Sequence, residues 1–387
     1  MIKRLGSLVC LLLLLSACAS TDDKSEKDSS SSAPKELSSI EKSVNIKKLW
    51  RAPVGKGRSV YDVLLPPTLL DGKIFAADKK GKISAWNTED GERLWRKNLD
   101  ILPSSGLGSG DGKIAIGGIK GELVVLDAAS GEELWRVALN AEILSAPAIN
   151  DELVIAQTQD GKIYALSATD GKELWRYIAD IPVLTLRGTA TPLITARTVV
   201  SGFANGKIIA LDQSAGGLLW EYKLGVPGGK TELERVVDVN SPVTHGGVVY
   251  ATSYQGSSGA VSLGAGRSLW ARKSSSFHQP AFAKRHLVVV EADGNILGLR
   301  ASGGGKQWTN DDLLHRGLTA PTMIGSYVAV GDKEGYLHIL SQEDGAIVGR
   351  VKVDGNGLSL PFFSEGNTLF VQDNDGDLTA YEIMPSL

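Results

Sequence analysis

A segment of about 40 residues recurs along this chain, and this repeat limits the possible folds more than any other feature. Each copy contains two alternating apolar stretches, an Asp-Gly or similar turn and then a tryptophan. The recurring positions are Trp95, Trp135, Trp175, Trp220, Trp270, Trp308 and, in the seventh copy, Gly349. Their successive spacings are 40, 40, 45, 50, 38 and 41 residues. A period of this size is typical of one four-stranded blade of a β-propeller.

The residues inside each repeat predict strands. Leu153-Val-Ile-Ala and Ile163-Tyr-Ala-Leu are short apolar stretches of the kind that form buried strands. Asp-Gly dipeptides between such stretches favour tight hairpin turns. We therefore predict an all-β fold with four antiparallel strands, A to D, in each blade, and with the tryptophan on strand D.

The two ends of the chain predict how the ring closes. The last unit, residues 361–383, supplies three strands but no tryptophan strand, whereas Ile46-Lys-Lys-Leu-Trp50 is a tryptophan strand with no unit before it. Pairing of the two completes an eighth blade and removes the exposed edges of an open array. The prediction is an eight-bladed β-propeller over residues 44–387, closed by pairing of the N-terminal strand with the last C-terminal blade.

The repeated tryptophans are interpreted as structural. A large ring that recurs once per blade after a tight turn is best explained by packing between neighbouring blades. Trp86 lies on a third strand, outside this pattern, and the sequence leaves open whether it is core or surface.

The first residues predict export. Lys3 and Arg4 precede an apolar run from Leu5 to Leu15, which is shorter than the about 20 residues that a spanning helix needs. Leu15-Ser-Ala-Cys18 is similar to the lipobox of bacterial lipoproteins. This resemblance implies a signal peptide at residues 1–17 that is removed, and acylation (palmitate) of Cys18.

The segment after the lipobox predicts a tether to the membrane. Residues 18–43 are rich in serine and mixed charges, which is typical of a flexible linker. Ala19 and Ser20 lack the aspartate that retains enteric lipoproteins at the inner membrane. The resemblance therefore implies an outer-membrane protein that is lipid-anchored and faces the periplasm.

Composition argues against several classes of function. The formal net charge is −3, and removal of Lys3 and Arg4 takes it to −5, whereas nucleic-acid binders usually have a basic face. Cys10 and Cys18 are the two cysteines, so the predicted propeller contains no disulfide and no thiolate metal site.

Two segments approach known ligand motifs without completing them. Gly228-Gly-Lys-Thr231 is nearly a phosphate loop, but Leu224 stands where that motif requires its first glycine. Asp373-Asn-Asp-Gly-Asp377 is similar to a calcium loop, but its glycine comes at the fourth position and Met384 replaces the final glutamate. The five histidines lie in different blades, and no nucleophile elbow occurs. We predict no catalytic residues, no metal and no cofactor.

The repeat resembles that of quinoprotein alcohol dehydrogenases, which are eight-bladed enzymes that hold pyrroloquinoline quinone (PQQ). This resemblance implies the alternative function, a periplasmic quinoprotein dehydrogenase-like enzyme. Those enzymes place a vicinal cysteine pair over the cofactor, and the repeats of this chain contain no cysteine.

Three other segments, together with the lipobox and the serine-rich tether, resemble the BamB family. They are residues 181–188, 312–316 and 331–337. BamB lipoproteins belong to the outer-membrane β-barrel assembly (BAM) machinery. The resemblance implies a non-catalytic scaffold that docks on the periplasmic POTRA domains of BamA, the central barrel protein, and supports folding and insertion of outer-membrane proteins.

Two consecutive repeats are long, and their extra residues fall largely in the connections from strand D to the next strand A, near 180–188 and 225–240. These connections emerge on one face, and loops on a rigid scaffold commonly carry function. The family resemblance implies partner binding by Leu184, Leu186, Arg187, Asp238 and Asn240. The alternative is that both loops are merely long, solvated connections. A second hypothesis is that exposed blade edges accept strands of unfolded clients.

Overall fold

The computed structural model describes residues 33–55, 63–186, 190–283, 285–353 and 356–386. Pro34–Leu387 forms one compact unit. Cys18 and the predicted signal peptide lie outside the described residues. Within the described ranges, no helix is long and apolar enough to cross a membrane.

The described residues form eight four-stranded antiparallel sheets, each with its strands in the order A-B-C-D. Blade 1 contains β2 (Thr68–Leu70), β3 (Lys73–Ala77), β4 (Lys82–Asn87) and β5 (Arg93–Asn98). Blade 2 contains β6 (Gly108–Gly110), β7 (Lys113–Gly117), β8 (Glu122–Asp127) and β9 (Glu133–Ala138). Blade 3 contains β10 (Ala148–Ile149), β11 (Leu153–Gln157), β12 (Lys162–Ser167) and β13 (Glu173–Ile178). Blade 4 contains β14 (Leu193–Ile194), β15 (Thr198–Gly202), β16 (Lys207–Asp212) and β17 (Leu218–Lys223).

The second half of the ring repeats this order. Blade 5 contains β18 (Val243–His245), β19 (Val248–Thr252), β20 (Gly256–Ser262) and β21 (Ser268–Ser274). Blade 6 contains β22 (Ala281–Ala283), β23 (His286–Val290), β24 (Ile296–Arg300) and β25 (Lys306–Asn310). Blade 7 contains β26 (Thr322–Ile324), β27 (Tyr327–Gly331), β28 (Tyr336–Ser341) and β29 (Ile347–Lys352). Blade 8 contains β30 (Phe363–Glu365), β31 (Thr368–Gln372), β32 (Asp377–Pro385) and β1 (Val44–Pro53).

Blade 8 confirms the predicted closure. Strand β1 pairs antiparallel with β32, and the register runs from Val44 opposite Pro385 to Pro53 opposite Asp377. The N-terminal strand thus takes the D position beside the C-terminal strand, and the fold is the predicted eight-bladed propeller.

The repeated tryptophans join neighbouring blades, as predicted. Trp135 on β9 donates its indole N–H to the carbonyl of Ala168 in blade 3, at 3.0 Å. Gly171 in the same turn has a φ of 73° and lies under the ring, where an added Cβ would be 2.6 Å from Trp135. The same indole hydrogen bond to the C–D turn of the next blade is made by Trp50, Trp95, Trp175, Trp220, Trp270 and Trp308.

This geometry explains why blade 7 has glycine where the others have tryptophan. The ring needs a C–D turn in the next blade, but in blade 8 strands C and D come from opposite ends of the chain. Gly349 faces Val44 and Ile46 of β1 instead, with the Ile46 Cδ1 atom 3.2 Å from the position of a Cβ. A tryptophan at residue 349 would therefore have no turn to pack on.

Trp86, whose role the sequence left open, belongs to the core. It is 1% exposed and packs in the cluster between blades 8 and 1 with Ile74 and Phe370. Its place on strand C is taken by leucine at Leu126 and Leu166 in the next two blades.

Residues 34–43, which the sequence assigns to the tether, lie against blades 6 and 7. Leu37 and Ile40 pack on the core cluster that contains Trp308. Ser43 donates its backbone N–H to the carbonyl of Val348 on β29, at 3.0 Å. The part of the predicted tether that the structure describes is thus held by the propeller, because its two apolar side chains pack against the core of blades 6 and 7.

Candidate docking surface

The strand order places all D–A connections and all B–C turns on one side of the propeller, here called the loop face. The A–B and C–D turns lie on the opposite side, the turn face. The connection between blades 3 and 4 runs over residues 179–192 and the next one over 224–242, compared with 139–147 between blades 2 and 3. The two long connections predicted from the repeat spacing are therefore neighbours on the loop face.

The first long connection presents apolar side chains to solvent. Val183 is fully exposed, Leu184 is 41% exposed, and Leu186 is half-buried. Arg187 lies outside the described residues. These side chains are candidates for a partner contact, because the buried centre of a protein interface is more apolar than the rest of the protein surface.

Asp238 lies beneath this connection instead of on the surface. The residue is only 7% exposed. Its Oδ2 atom accepts a hydrogen bond from the backbone N–H of Leu186 at 2.9 Å. Oδ1 is buried without a hydrogen-bond partner among the described residues. Burial raises the pKa of the Asp238 carboxyl from 3.8 to about 7. The second long connection thus holds the first one in place through the buried Asp238 carboxyl group and through Ser241, whose Oγ accepts the N–H of Thr191 at 2.8 Å.

Asn240 also supports the scaffold. Its Nδ2 donates to Thr252 Oγ1 at 2.9 Å and to the carbonyl of Ser276 at 2.8 Å, so that it ties blades 4, 5 and 6 together. Of the predicted site residues that the structure describes, Leu184 faces solvent and Leu186 does so in part. Asp238 is buried and accepts its hydrogen bond from Leu186 in the first connection, whereas the Asn240 side chain donates to Thr252 and Ser276 of the scaffold.

The phosphate-loop-like segment in the second connection binds its own carboxylate. Glu234 Oε2 accepts the backbone N–H groups of Lys230 at 2.6 Å and Thr231 at 3.1 Å. Thr231 Oγ1 in turn accepts the N–H of Glu234 at 3.3 Å, at the start of the 3-10 turn Leu233–Arg235. The N–H groups that a phosphate would need are therefore occupied by Glu234.

The loop face carries further apolar residues that the sequence reasoning missed. Phe277, between blades 5 and 6, is 46% exposed and stacks on Tyr254 with ring centroids 4.6 Å apart. The exposed large apolar residues described on the loop face are Leu64, Leu102, Ile119, Val183, Leu184, Val226, Leu233 and Phe277. Single apolar residues in loops form no periodic pattern, so nothing in the sequence marked Leu102, Ile119 or Phe277. A contiguous patch of such residues marks an interaction site, whereas single exposed apolar residues are normal on a protein surface.

The described residues also show which groups could bind a metal ion or a cofactor. In the ranges given above, no group of three or more His, Cys, Asp or Glu side chains is placed to hold a metal ion. In the segment that resembles a calcium loop, Asp373 Oδ1 accepts the N–H groups of Asp375 and Asp377, so the segment is a B–C turn. A cavity beside Asp238 and Ile181 has space of about 20 Å³. That space suits one water molecule.

These observations show the class of protein: the chain is an eight-bladed β-propeller with PQQ-type repeats, and tryptophan side chains join its neighbouring blades. A family model described as outer membrane protein assembly factor BamB matches residues 79–310 and 303–384. This chain belongs to the BamB family of outer membrane protein assembly factors, which confirms the resemblance noted from its sequence.

Individual relatives agree with this family. A protein of that name from Pseudomonas aeruginosa is 46% identical over 351 residues, which cover 90% of this chain and 92% of the relative. Another from Marinobacter adhaerens is 50% identical over 355 residues, which cover 91% of each. The crystal structure of BamB from Moraxella catarrhalis has a TM-score of 0.80 at 30% identity, covering 87% of this chain and 100% of the other.

The quinoprotein enzymes share the fold. Quinohemoprotein alcohol dehydrogenase from Comamonas testosteroni has a TM-score of 0.68 at 13% identity, over 88% of this chain and 76% of the enzyme. At this level of sequence identity the similarity shows a shared fold, and it does not show a shared activity.

Proposed function

We propose that this chain is a non-catalytic scaffold lipoprotein that docks on the periplasmic POTRA domains of BamA through its loop face. Its family assigns it to the assembly of outer-membrane proteins. The observation that carries the docking proposal is the pair of long neighbouring connections. Val183 and Leu184 are exposed on the first connection, and buried Asp238 of the second connection holds the first one in place.

The proposed contact is an apolar anchor on a preorganised loop. The Asp238–Leu186 hydrogen bond fixes the first connection before the partner arrives, which lowers the entropy lost on binding. Val183 and Leu184 would enter an apolar pocket of the partner, and Arg187, by resemblance to the family, would bind a polar group at its rim. Asp238 and Asn240 act in this proposal as positioning residues.

The anchor is the second part of the proposal. Cys18 would carry the acyl chains after removal of residues 1–17, and would hold the protein at the outer membrane, facing the periplasm. Two or three acyl chains give the stable anchoring that one chain does not. Replacement of Cys18 by alanine should release the protein from membranes, as fractionation would show.

A direct test uses co-purification with BamA. Changing Leu186 and Arg187 to glutamate should abolish co-purification, because two negative charges then occupy the proposed contact. Unaltered co-purification with a folded propeller would refute the assignment of this site.

The enzymatic alternative has its own test. A quinoprotein would show dye-linked alcohol oxidation after incubation with PQQ and calcium. We expect no activity above that of a heat-inactivated sample, and activity that depends on PQQ would overturn the non-catalytic assignment.

Binding of unfolded outer-membrane clients is a second candidate function. The D strands form the outer edges of the blades, and the residue just before the tryptophan is exposed; Leu174, for example, is 53% exposed. Such edges could accept an extended client segment. Replacing Leu134, Leu174 and Leu219 by lysine should then weaken binding of an unfolded barrel protein, and unchanged binding would exclude these edges.

A further inference from the structure

Residues 34–43, here called the strap, cross the rim of the propeller between blades 6 and 7. At its start, Lys35 donates its backbone N–H to the carbonyl of Leu314 at 3.0 Å, and its ammonium lies 3.3 Å from Asp311 Oδ1. At its end, Ser43 donates to Val348 at 3.0 Å and accepts the N–H of Ser386 at 2.8 Å. Both ends of the strap are therefore fixed to the propeller by main-chain hydrogen bonds.

Two apolar side chains anchor the middle of the strap. Leu37 and Ile40 are half-buried against the core cluster that includes Trp308 and Leu313. Ser38 and Ser39, between them, are exposed. The strap thus has a buried side and a solvent side that can be changed independently.

Arg316 connects the strap to a buried charge network. Its side chain is 3% exposed, and Nε donates to Asp332 Oδ2 at 2.7 Å. Nη2 donates to the carboxylate of Glu334, and Nη1 donates to the carbonyl of Lys35 at 2.9 Å. Because a guanidinium keeps its proton at any physiological pH, this donor to the strap is permanent.

Arg350 provides a second donor three residues further along the strap. Its Nη1 donates to the carbonyl of Ser38 at 2.8 Å, and its Nε donates to His338 Nδ1 at 3.1 Å. His338 Nε2 lies 3.0 Å from Asp332 Oδ2, so the same carboxylate orients both arginines. Burial lowers the pKa of His338, which keeps its Nδ1 free to accept from Arg350. Two of the family-like segments, 312–316 and 331–337, thus form a receptor for an extended main chain, a role that docking does not use.

The path of the strap decides the face on which the chain leaves the propeller. Strand β1 begins at Val44, opposite Pro385, which is at the turn face. The strap begins beside Asp311–Leu314, in the D–A connection between blades 6 and 7, which is at the loop face. The strap therefore carries the chain back from the turn face to the loop face.

We propose that the strap fixes the exit of the membrane tether on the loop face, the side that carries the docking connections. This inference rests on the proposed lipidation of Cys18. With the strap bound, the tether of residues 18–33 reaches at most about 55 Å. Release of the strap would add about 35 Å of chain and move the exit to the opposite face. With the strap bound, the described chain thus leaves the propeller on the side that carries the docking connections.

A proteolysis experiment tests whether the strap is held. The soluble chain 19–387 is treated with trypsin, and cleavage after Lys42 is followed by mass spectrometry. Leu37→Asp with Ile40→Asp should speed this cleavage at least tenfold. The matched pair Ser38→Asp with Ser39→Asp adds the same charge on the solvent side and should leave the rate within twofold of wild type. Equal rates in all three proteins, or equal acceleration by both pairs, would overturn the proposal.

A membrane experiment tests the exit face. Lipidated protein carries a dye at Ile119→Cys on the loop face or at Asp151→Cys on the turn face, in vesicles with acceptor-labelled lipid headgroups. Energy transfer should be greater for residue 119, and the Leu37→Asp, Ile40→Asp pair should abolish or reverse this difference. Equal transfer from both positions in the wild type would overturn the proposed exit. Failure of the protein to associate with vesicles would instead refute the lipid anchor, and the proteolysis result would then decide whether the strap is held.

Discussion

Replacing Asp238 by asparagine should change how the stability of the propeller depends on pH. In the folded protein the carboxyl group is buried, and Oδ2 accepts the N–H of Leu186. Burial raises its pKa from 3.8 to about 7. Asparagine has nearly the same shape and keeps an oxygen for the Leu186 N–H, but it has no proton to lose.

The sign and magnitude follow from proton linkage. Between pH 4 and 7 the folded state keeps a proton on Asp238 that the unfolded chain has released, so stability falls as the pH rises through this range. For folded and unfolded pKa values of about 7 and 3.8, the loss between pH 5 and pH 8 is about 3 kcal/mol. Asp238→Asn should lack this loss, and should therefore be about 3 kcal/mol more stable, relative to wild type, at pH 8 than at pH 5.

Urea unfolding at pH 5, 6, 7 and 8 measures this difference. Subtracting the wild-type free energy of unfolding from that of the variant at each pH removes the contribution of all other titrating groups. Asp180→Asn, at an exposed carboxyl group in the neighbouring connection, is the control for the removal of one charge. If the difference for Asp238→Asn is the same at pH 5 and pH 8, the buried-carboxyl reasoning is wrong.

Three further changes test the packing and the loops. Trp135→Phe removes the indole donor to Ala168 and should lower the free energy of unfolding by about 1–2 kcal/mol in urea, and an unchanged midpoint would contradict the role of this bond. Gly171→Ala should cost about 1–3 kcal/mol, because its Cβ would meet the Trp135 ring at 2.6 Å, whereas Gly217→Ala, with open space around it, should be neutral. Glu234→Ala frees two backbone N–H groups and should speed amide exchange in residues 228–235 without changing global stability; unaltered exchange would show that Glu234 does not order this loop.

The repeat predicted the blades and their closure because its signals are local and periodic. Each tryptophan packs on a turn at a fixed place in the following blade, as Trp135 does on Gly171, so the sequence spacing reports the spatial repeat directly. The missing tryptophan at Gly349 follows from the same rule, since blade 8 joins the two ends of the chain. The sequence showed that the seventh repeat has glycine in place of tryptophan, and the structure explained why.

The roles of individual loop residues were not predictable in the same way. Asp238 is a charged residue in a long connection, a pattern that indicates surface, yet it is buried because the neighbouring connection folds over it. Leu37 and Ile40 lie in a segment whose composition is typical of a flexible linker, but the seam between blades 6 and 7 offers them an apolar surface. Both results depend on contacts between residues far apart in sequence, which no local pattern encodes.

Direct titration of the purified POTRA domains of BamA with the soluble propeller tests the central claim. The variant Val183→Ser with Leu184→Ser removes the apolar anchors, and the matched control Leu174→Ser with Leu219→Ser removes exposed leucines from the rim. Loss of about 2 kcal/mol of apolar burial should raise the Kd of the first variant about 30-fold and leave that of the control unchanged. A Kd that is unaltered in the first variant, or raised equally in both, would contradict docking through the loop face.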